Sequence, residues 1–107
     1  MATSKEYLTF MLDQLSLLEG VTFRGMMGEY ILYLHGRIFA YLCDDRLLVK
    51  PVPAAVALLP DAVPEPPYPG AKPMLPVEQV DDREFLKALA DAMYPQLPPP
   101  NKQKGRA

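Results

Sequence analysis

Leu8, Met11, Leu12, Leu15 and Leu18 recur at spacings of three and four with Tyr7 on the same stripe, which predicts an amphipathic helix from about Ser4 to Glu19. Thr3 and Glu6 stand at capping-box spacing at its start, and Gly20 supplies a residue free to turn left-handed at its end. From Val21 the spacing changes to short runs rich in Val, Ile, Tyr and Phe, divided by Gly and Asp signals. That pattern predicts antiparallel strands near Val21–Gly25, Glu29–Leu34, Arg37–Cys43 and Leu47–Lys50. His35-Gly36 and Asp44-Asp45 read as two-residue hairpin loops, because these residue types tolerate the positive φ that tight hairpin turns demand.

A turn at His35-Gly36 sets a register in which Leu34 faces Arg37, Tyr33 faces Ile38, Leu32 faces Phe39, Ile31 faces Ala40 and Tyr30 faces Tyr41. Side chains alternate across a strand, so one face collects Ile31, Tyr33, Ile38 and Ala40 and the other Tyr30, Leu32, Phe39 and Tyr41. Both faces are apolar. A sheet with helices on one side only should alternate apolar with polar, so the second face calls for a cover of its own: a helix, a proline-rich segment, or another protein, most commonly a second copy of the chain.

The pattern weakens where proline begins. All thirteen prolines lie after residue 50, nine of them between Pro51 and Pro76. Pro53–Leu59 reads as a short helix with proline in its first turn, and Pro60–Pro73 as an extended loop across the surface. Met74–Val80 reads as a strand that Pro76 confines to an edge. A final helix follows, with Asp81 and Glu84 at capping-box spacing and Phe85, Ala88, Leu89, Ala92 and Met93 on one face, ended by Pro95 and Pro98-Pro99-Pro100. The reading is an α+β fold in one domain, residues 1–97, with a proline-rich, basic, disordered tail over 98–107.

Composition supports one folded unit: of 107 residues, 50% are hydrophobic and 22% charged, in the range of globular chains. Residues 1–97 hold eight Lys and Arg against thirteen Asp and Glu, a balance of −5, whereas Lys102, Lys104 and Arg106 make the tail +3. An acidic domain lacks the basic patch that neutralises phosphates, so direct nucleic-acid binding by the folded part is not expected. No apolar run approaches the ~18 residues of a membrane helix, and no leader pattern is present. The lone Cys43 points to a reducing, cytoplasmic home.

Candidate chemistry is sparse. Cys43 and His35, the sole thiol and imidazole, lie eight residues apart on one predicted strand, roughly 26 Å at ~3.3 Å per residue, beyond reach as nucleophile and base. Asp44 and Asp45 beside the thiol oppose thiolate formation. The pairs Asp44-Asp45 and Asp81-Asp82 serve as turn and cap, and no ligand spacing for a metal accompanies them. No dinucleotide or phosphate-loop glycine pattern occurs. Arg24-Gly25-Met26-Met27-Gly28-Glu29 breaks the strand pattern, as a bulge or corner or as an adaptable methionine-lined contact surface. Pro64-Glu65-Pro66-Pro67-Tyr68-Pro69 suits a surface strap better than a polyproline ligand.

Three motifs in order carry a resemblance: Arg24, Met26, Met27, Gly28, Tyr30, Leu32 and Tyr33; then Gly36-Arg37-Ile38-Phe39-Ala40; then Asp44-Asp45-Arg46-Leu47-Leu48-Val49-Lys50. Together with Pro76, Val77, Asp81-Asp82, Phe85 and Leu86, they make the chain resemble the TfoX/Sxy N-terminal domain family over about residues 4–96. The resemblance implies a two-layer, secretion-chaperone-like α+β architecture, no catalytic residues, and a regulatory role like that of the longer competence regulators. Those carry a second, helical domain where this sequence stops, so the expectation is a stand-alone module.

The functional expectation is a cytoplasmic, non-enzymatic interaction domain without cofactor or metal. It would act as a homodimer or on a protein partner through Tyr30, Leu32, Phe39, Tyr41, Met26 and Met27. The rival expectation is a ligand-binding or enzymatic pocket built from Arg24, Glu29, Tyr30 and Lys50.

Overall fold

A computed structural model describes residues 3–26 and 28–99. The expected positions Met27 and Pro100–Ala107, most of the tail, lie outside the described residues. In chain order the elements are α1 (Lys5–Gln14), β1 (Val21–Met26), β2 (Glu29–Leu34), β3 (Arg37–Leu42), β4 (Leu47–Val49), α2 (Pro53–Leu58), β5 (Leu75–Val77), α3 (Arg83–Met93) and a 3₁₀ turn at Tyr94–Gln96. The strands form one antiparallel sheet in the order β1-β2-β3-β4-β5. The architecture is the α+β arrangement expected, with the edge strand after the short helix.

Both predicted turns form. His35 and Gly36 take φ of 50° and 84°, and Asp44 and Asp45 take 56° and 55°, so each pair supplies two consecutive left-handed residues. Cys43 and Arg46 close the second turn with reciprocal backbone hydrogen bonds of 3.0 Å each. The glycine-methionine stretch is a third hairpin corner, since Met26 pairs with Glu29.

The β2–β3 register departs from expectation after two pairs. Leu34 faces Arg37 and Tyr33 faces Ile38 as foreseen, but Leu32 then faces Ala40, Ile31 faces Tyr41 and Tyr30 faces Leu42. Phe39 is the extra residue of a β-bulge. The bulge reverses the alternation beyond it: Phe39, Ala40 and Leu42 all turn toward the helices, and Tyr41 and Cys43 turn away.

Helices cover one face of the sheet. Leu8, Met11 and Leu15, then Ala55 and Leu59, then Leu86, Leu89, Ala90 and Met93 pack against Leu32, Leu34, Phe39, Leu42, Leu47, Val49, Leu75 and Val77. Each buried Leu, Val, Met or Phe among them contributes on the order of 1.5–3 kcal/mol. The apolar stripe of α3 therefore runs through Leu86 and Ala90 rather than through Ala88 and Ala92, which are exposed.

The opposite face is partly covered by the segment between α2 and β5. Glu65 and Met74 close this strap with backbone hydrogen bonds of 2.9 and 2.8 Å, and Arg46 holds it through Glu65 at 2.6 Å. Beneath it Cys43, Leu48 and Met74 form a second small core with Tyr41 at its margin. Helices thus cover most of the face expected to need its own cover, and the proline-rich loop covers the β3–β4 part of the other face.

Three local expectations shift. Helix α1 ends at Gln14 rather than Glu19, because Leu15 to Leu18 tighten into turns and Gly20 (φ 79°) passes its carbonyl to the His35 amide at 2.9 Å, joining the sheet. Ser4, not Thr3, caps α1 by accepting from the Tyr7 amide at 3.1 Å. The Ser4 amide donates to Asp45 at 2.9 Å, the part expected of Glu6. Asp82, not Asp81, caps α3 by accepting from Phe85 at 3.0 Å.

Candidate functional site

Helix packing and the bulge together decide where the residues expected to form a docking face lie. Leu32 is wholly inaccessible and Phe39 nearly so, both inside the main core. Tyr30 packs against that core and meets Phe23 edge-on, with ring centroids 5.9 Å apart. Tyr41 lies on the opposite face at the strap, where burial and then neighbouring Tyr68, Cys43 and Tyr33 raise its hydroxyl pKa. These four side chains do not form one exposed surface: Tyr30, Leu32 and Phe39 share the helix-covered face, and the extra residue turns Tyr41 to the other. Met26 is half-buried at the end of β1.

The rival pocket is likewise dispersed. Glu29 is engaged at the start of the chain, accepting from the Thr3 hydroxyl at 2.9 Å and the Asp44 amide at 3.2 Å. Arg24 lies opposite Ile31 on β1, Tyr30 turns toward the helices, and Lys50 follows β4 two strands away. Lys50 instead lines a cleft of about 260 Å³ between strap and sheet, with Tyr41, Tyr68, Lys72 and Met74.

Cys43 is buried, and burial followed by the nearby Glu29 charge pushes its thiol up to about 11, against nucleophilic use at neutral pH. His35 lies at the other end of β3, its ring edge-on to Tyr94 at 5.5 Å. The acidic pairs stand at opposite ends of α1: Asp45 holds Ser4 at its start, while Arg83, next to Asp82, bonds Asp13 and Gln14 at its finish. Ten residues of helix separate them by roughly 15 Å.

Among the described residues, what the fold leaves open is the outer edge of β1. The strand lies at one end of the sheet, and Thr22, Phe23, Arg24 and Gly25 are exposed. The Gly20 carbonyl accepts from His35, so the alternation of an antiparallel ladder turns the backbone groups of Thr22 and Arg24 toward β2 and those of Val21, Phe23 and Gly25 outward. Phe23, opposite Leu32 in the ladder, stands on the helix side at 48% exposure. It ends a groove between α1 and the edge strand whose apolar walls are Leu12, Leu15, Leu18 and Val21.

The other edge is closed. Strand β5 is three residues long, and Pro76 at its centre has no amide hydrogen. Sequence reasoning missed the β1 edge because its signal is positional: nothing in Val21–Met26 distinguishes an outer strand from an inner one until strand order is known. The one legible trace was the short run of exposed-type residues, Thr22, Arg24 and Gly25, in an otherwise apolar meander.

A family model described as the TfoX N-terminal domain matches residues 13–96. A relative from Spirochaeta aurantia, described as an uncharacterized 12.7 kDa protein in the trpE 5' region, is 32% identical over 99% of this chain and 93% of its own length. No solved structure matches. Among the described residues no helix is long and apolar enough to cross a membrane.

Proposed function

The chain belongs to the TfoX N-terminal domain family, and from that premise we propose that it is a non-enzymatic protein-interaction module of the reducing cytoplasm that binds by strand addition at β1. The observation that carries this reading is the combination of outward backbone groups at Val21, Phe23 and Gly25, unpaired among the described residues, with a half-exposed phenylalanine and an apolar groove beside them. Strand addition takes its affinity from main-chain hydrogen bonds and its specificity from alternate side chains, and β1 offers both.

Charge favours a protein partner over a polyanion, since residues 1–97 carry −5. A thiol held near 11 favours a binding role over a nucleophilic one. The family's link to gene regulation is carried by longer members, and this module would serve such a role by assembling proteins rather than by touching DNA.

The test is site-specific photocrosslinking in the cells that make the protein. A benzophenone side chain in place of Phe23 should give a discrete protein adduct, lost in a Gly25→Pro background. The same group in place of Val56, an exposed apolar position on α2, should give none. Absence of an adduct at position 23, or persistence in the proline background, overturns the reading.

A further inference from the structure

We infer that the partner taken up by β1 is a second copy of this chain, joined antiparallel about a two-fold axis through Phe23 so that two five-stranded sheets become one. This deepens the reading above and rests on the β1 edge being the binding surface.

The residues of the strand select the register. Outward-facing positions Val21, Phe23 and Gly25 must meet outward-facing positions of the other copy, so the axis passes through residue 22, 23 or 24. An axis at 24 sets Arg24 directly against its own copy, in a close pair of like charges. An axis at 22 pairs Arg24 with Gly20, whose φ of 79° takes it out of extended geometry and shortens the ladder. An axis at 23 pairs Val21 with Gly25, Thr22 with Arg24 and Phe23 with Phe23. Large then meets small, a hydroxyl meets the charge, and the two half-exposed rings meet at the centre.

Gly25 contributes space as well as fit. It has no side chain to crowd the ring of Phe23 on the same face, and a β-carbon built there would meet only Tyr30 at 3.8 Å. The apolar walls of the α1 groove in each copy flank the paired rings.

A closed pair also answers what an open edge would otherwise do. A six-residue strand without proline or lysine templates further pairing unless its edge is consumed. Pairing β1 to β1 consumes both free edges at once, and the short, proline-bearing β5 gives head-to-tail growth no second edge to use.

Sedimentation equilibrium of the full chain provides the test, with an expected mass of about 24 kDa, twice 12.0 kDa. Phe23→Glu and Phe23→Lys should each sediment as monomers, and an equimolar mixture of the two should restore the dimer, because the axis sets opposite charges face to face. Gly25→Pro removes an outward amide without touching the β1–β2 ladder, and should be monomeric while keeping the wild-type circular dichroism spectrum. A wild-type monomer up to millimolar concentration, a dimeric Gly25→Pro, or a charge-swapped mixture that stays monomeric each overturns the inference. If the wild type is monomeric while the crosslinker at position 23 captures a different protein, strand addition stands and self-association falls.

Discussion

Replacing Gly20 with alanine probes how the end of α1 is welded to the sheet. Gly20 combines a left-handed φ of 79° with a carbonyl that accepts the His35 amide at 2.9 Å. A β-carbon there would lie 3.0 Å from His35 Cγ and closer still to Nδ1 and Cε1. The imidazole cannot swing aside without loss, because it sits edge-on to Tyr94 at 5.5 Å, and the Tyr94 ring also carries the Arg37 guanidinium 5.0 Å from its centre. The left-handed conformation disfavours an L side chain by about 1–2 kcal/mol. Displacing the imidazole from Tyr94 forfeits an aromatic contact of about 0.5–1.5 kcal/mol. Together these predict about 2–3 kcal/mol of destabilisation, or a Tm lower by on the order of 10–15 °C for a domain of this size. Gly70→Ala is the control, since Gly70 has φ 88° but open space where the β-carbon would go, so only the conformational part, about 1–2 kcal/mol, applies. Urea unfolding followed by circular dichroism should show the larger loss at Gly20, shrinking toward the Gly70 value in a His35→Ala background. Equal losses at the two glycines, or a Gly20 loss indifferent to His35→Ala, would refute the argument.

Two further outcomes follow from buried polar groups. Because the folded pKa of Cys43 is raised to about 11, the unfolded chain gives up its thiol proton first, and stability should fall as pH climbs from the ordinary thiol value toward 11. That fall is measured as the difference between wild-type and Cys43→Ala stability curves, and parallel curves would sink the assignment. The Thr3 hydroxyl shares its proton between Glu29 at 2.9 Å and the Leu42 carbonyl at 3.0 Å and accepts from the Asp45 amide at 3.3 Å. Thr3→Val should lose about 1–3 kcal/mol in urea titration. Thr3→Ser should recover most of it, and a valine variant as stable as wild type would show these contacts to be inert.

The turns were readable because their requirement is local. Few residue types accept two consecutive positive φ angles, so His35-Gly36 and Asp44-Asp45 announce themselves wherever they occur. The inward stripe of α1 was readable for a related reason: Leu8, Met11 and Leu15 share a face in any helix. The strap's role was half readable, since two apolar strand faces demanded a cover without saying which segment would supply it.

What could not be read depends on residues far apart in the chain. Asp45 serves the start of α1 from 41 positions away, and Glu29 and the Leu42 carbonyl claim the Thr3 hydroxyl that a capping box would have used. The same holds for the candidate site. Helices close over the face that holds Leu32 and Phe39, and a single bulge at Phe39 turns Tyr41 to the strap side, so the surface that alternation had drawn does not form. Residue types and their spacing determine which elements and turns this chain makes, because φ preference and apolar period act over a few residues. Which side of the sheet is buried, and that β1 is left with a free edge, were decided only when the helices and the strap closed over the strands. Burial is a property of the assembled layers, and whether another segment pairs with the outer edge of β1 is settled by long-range contacts that no local preference encodes.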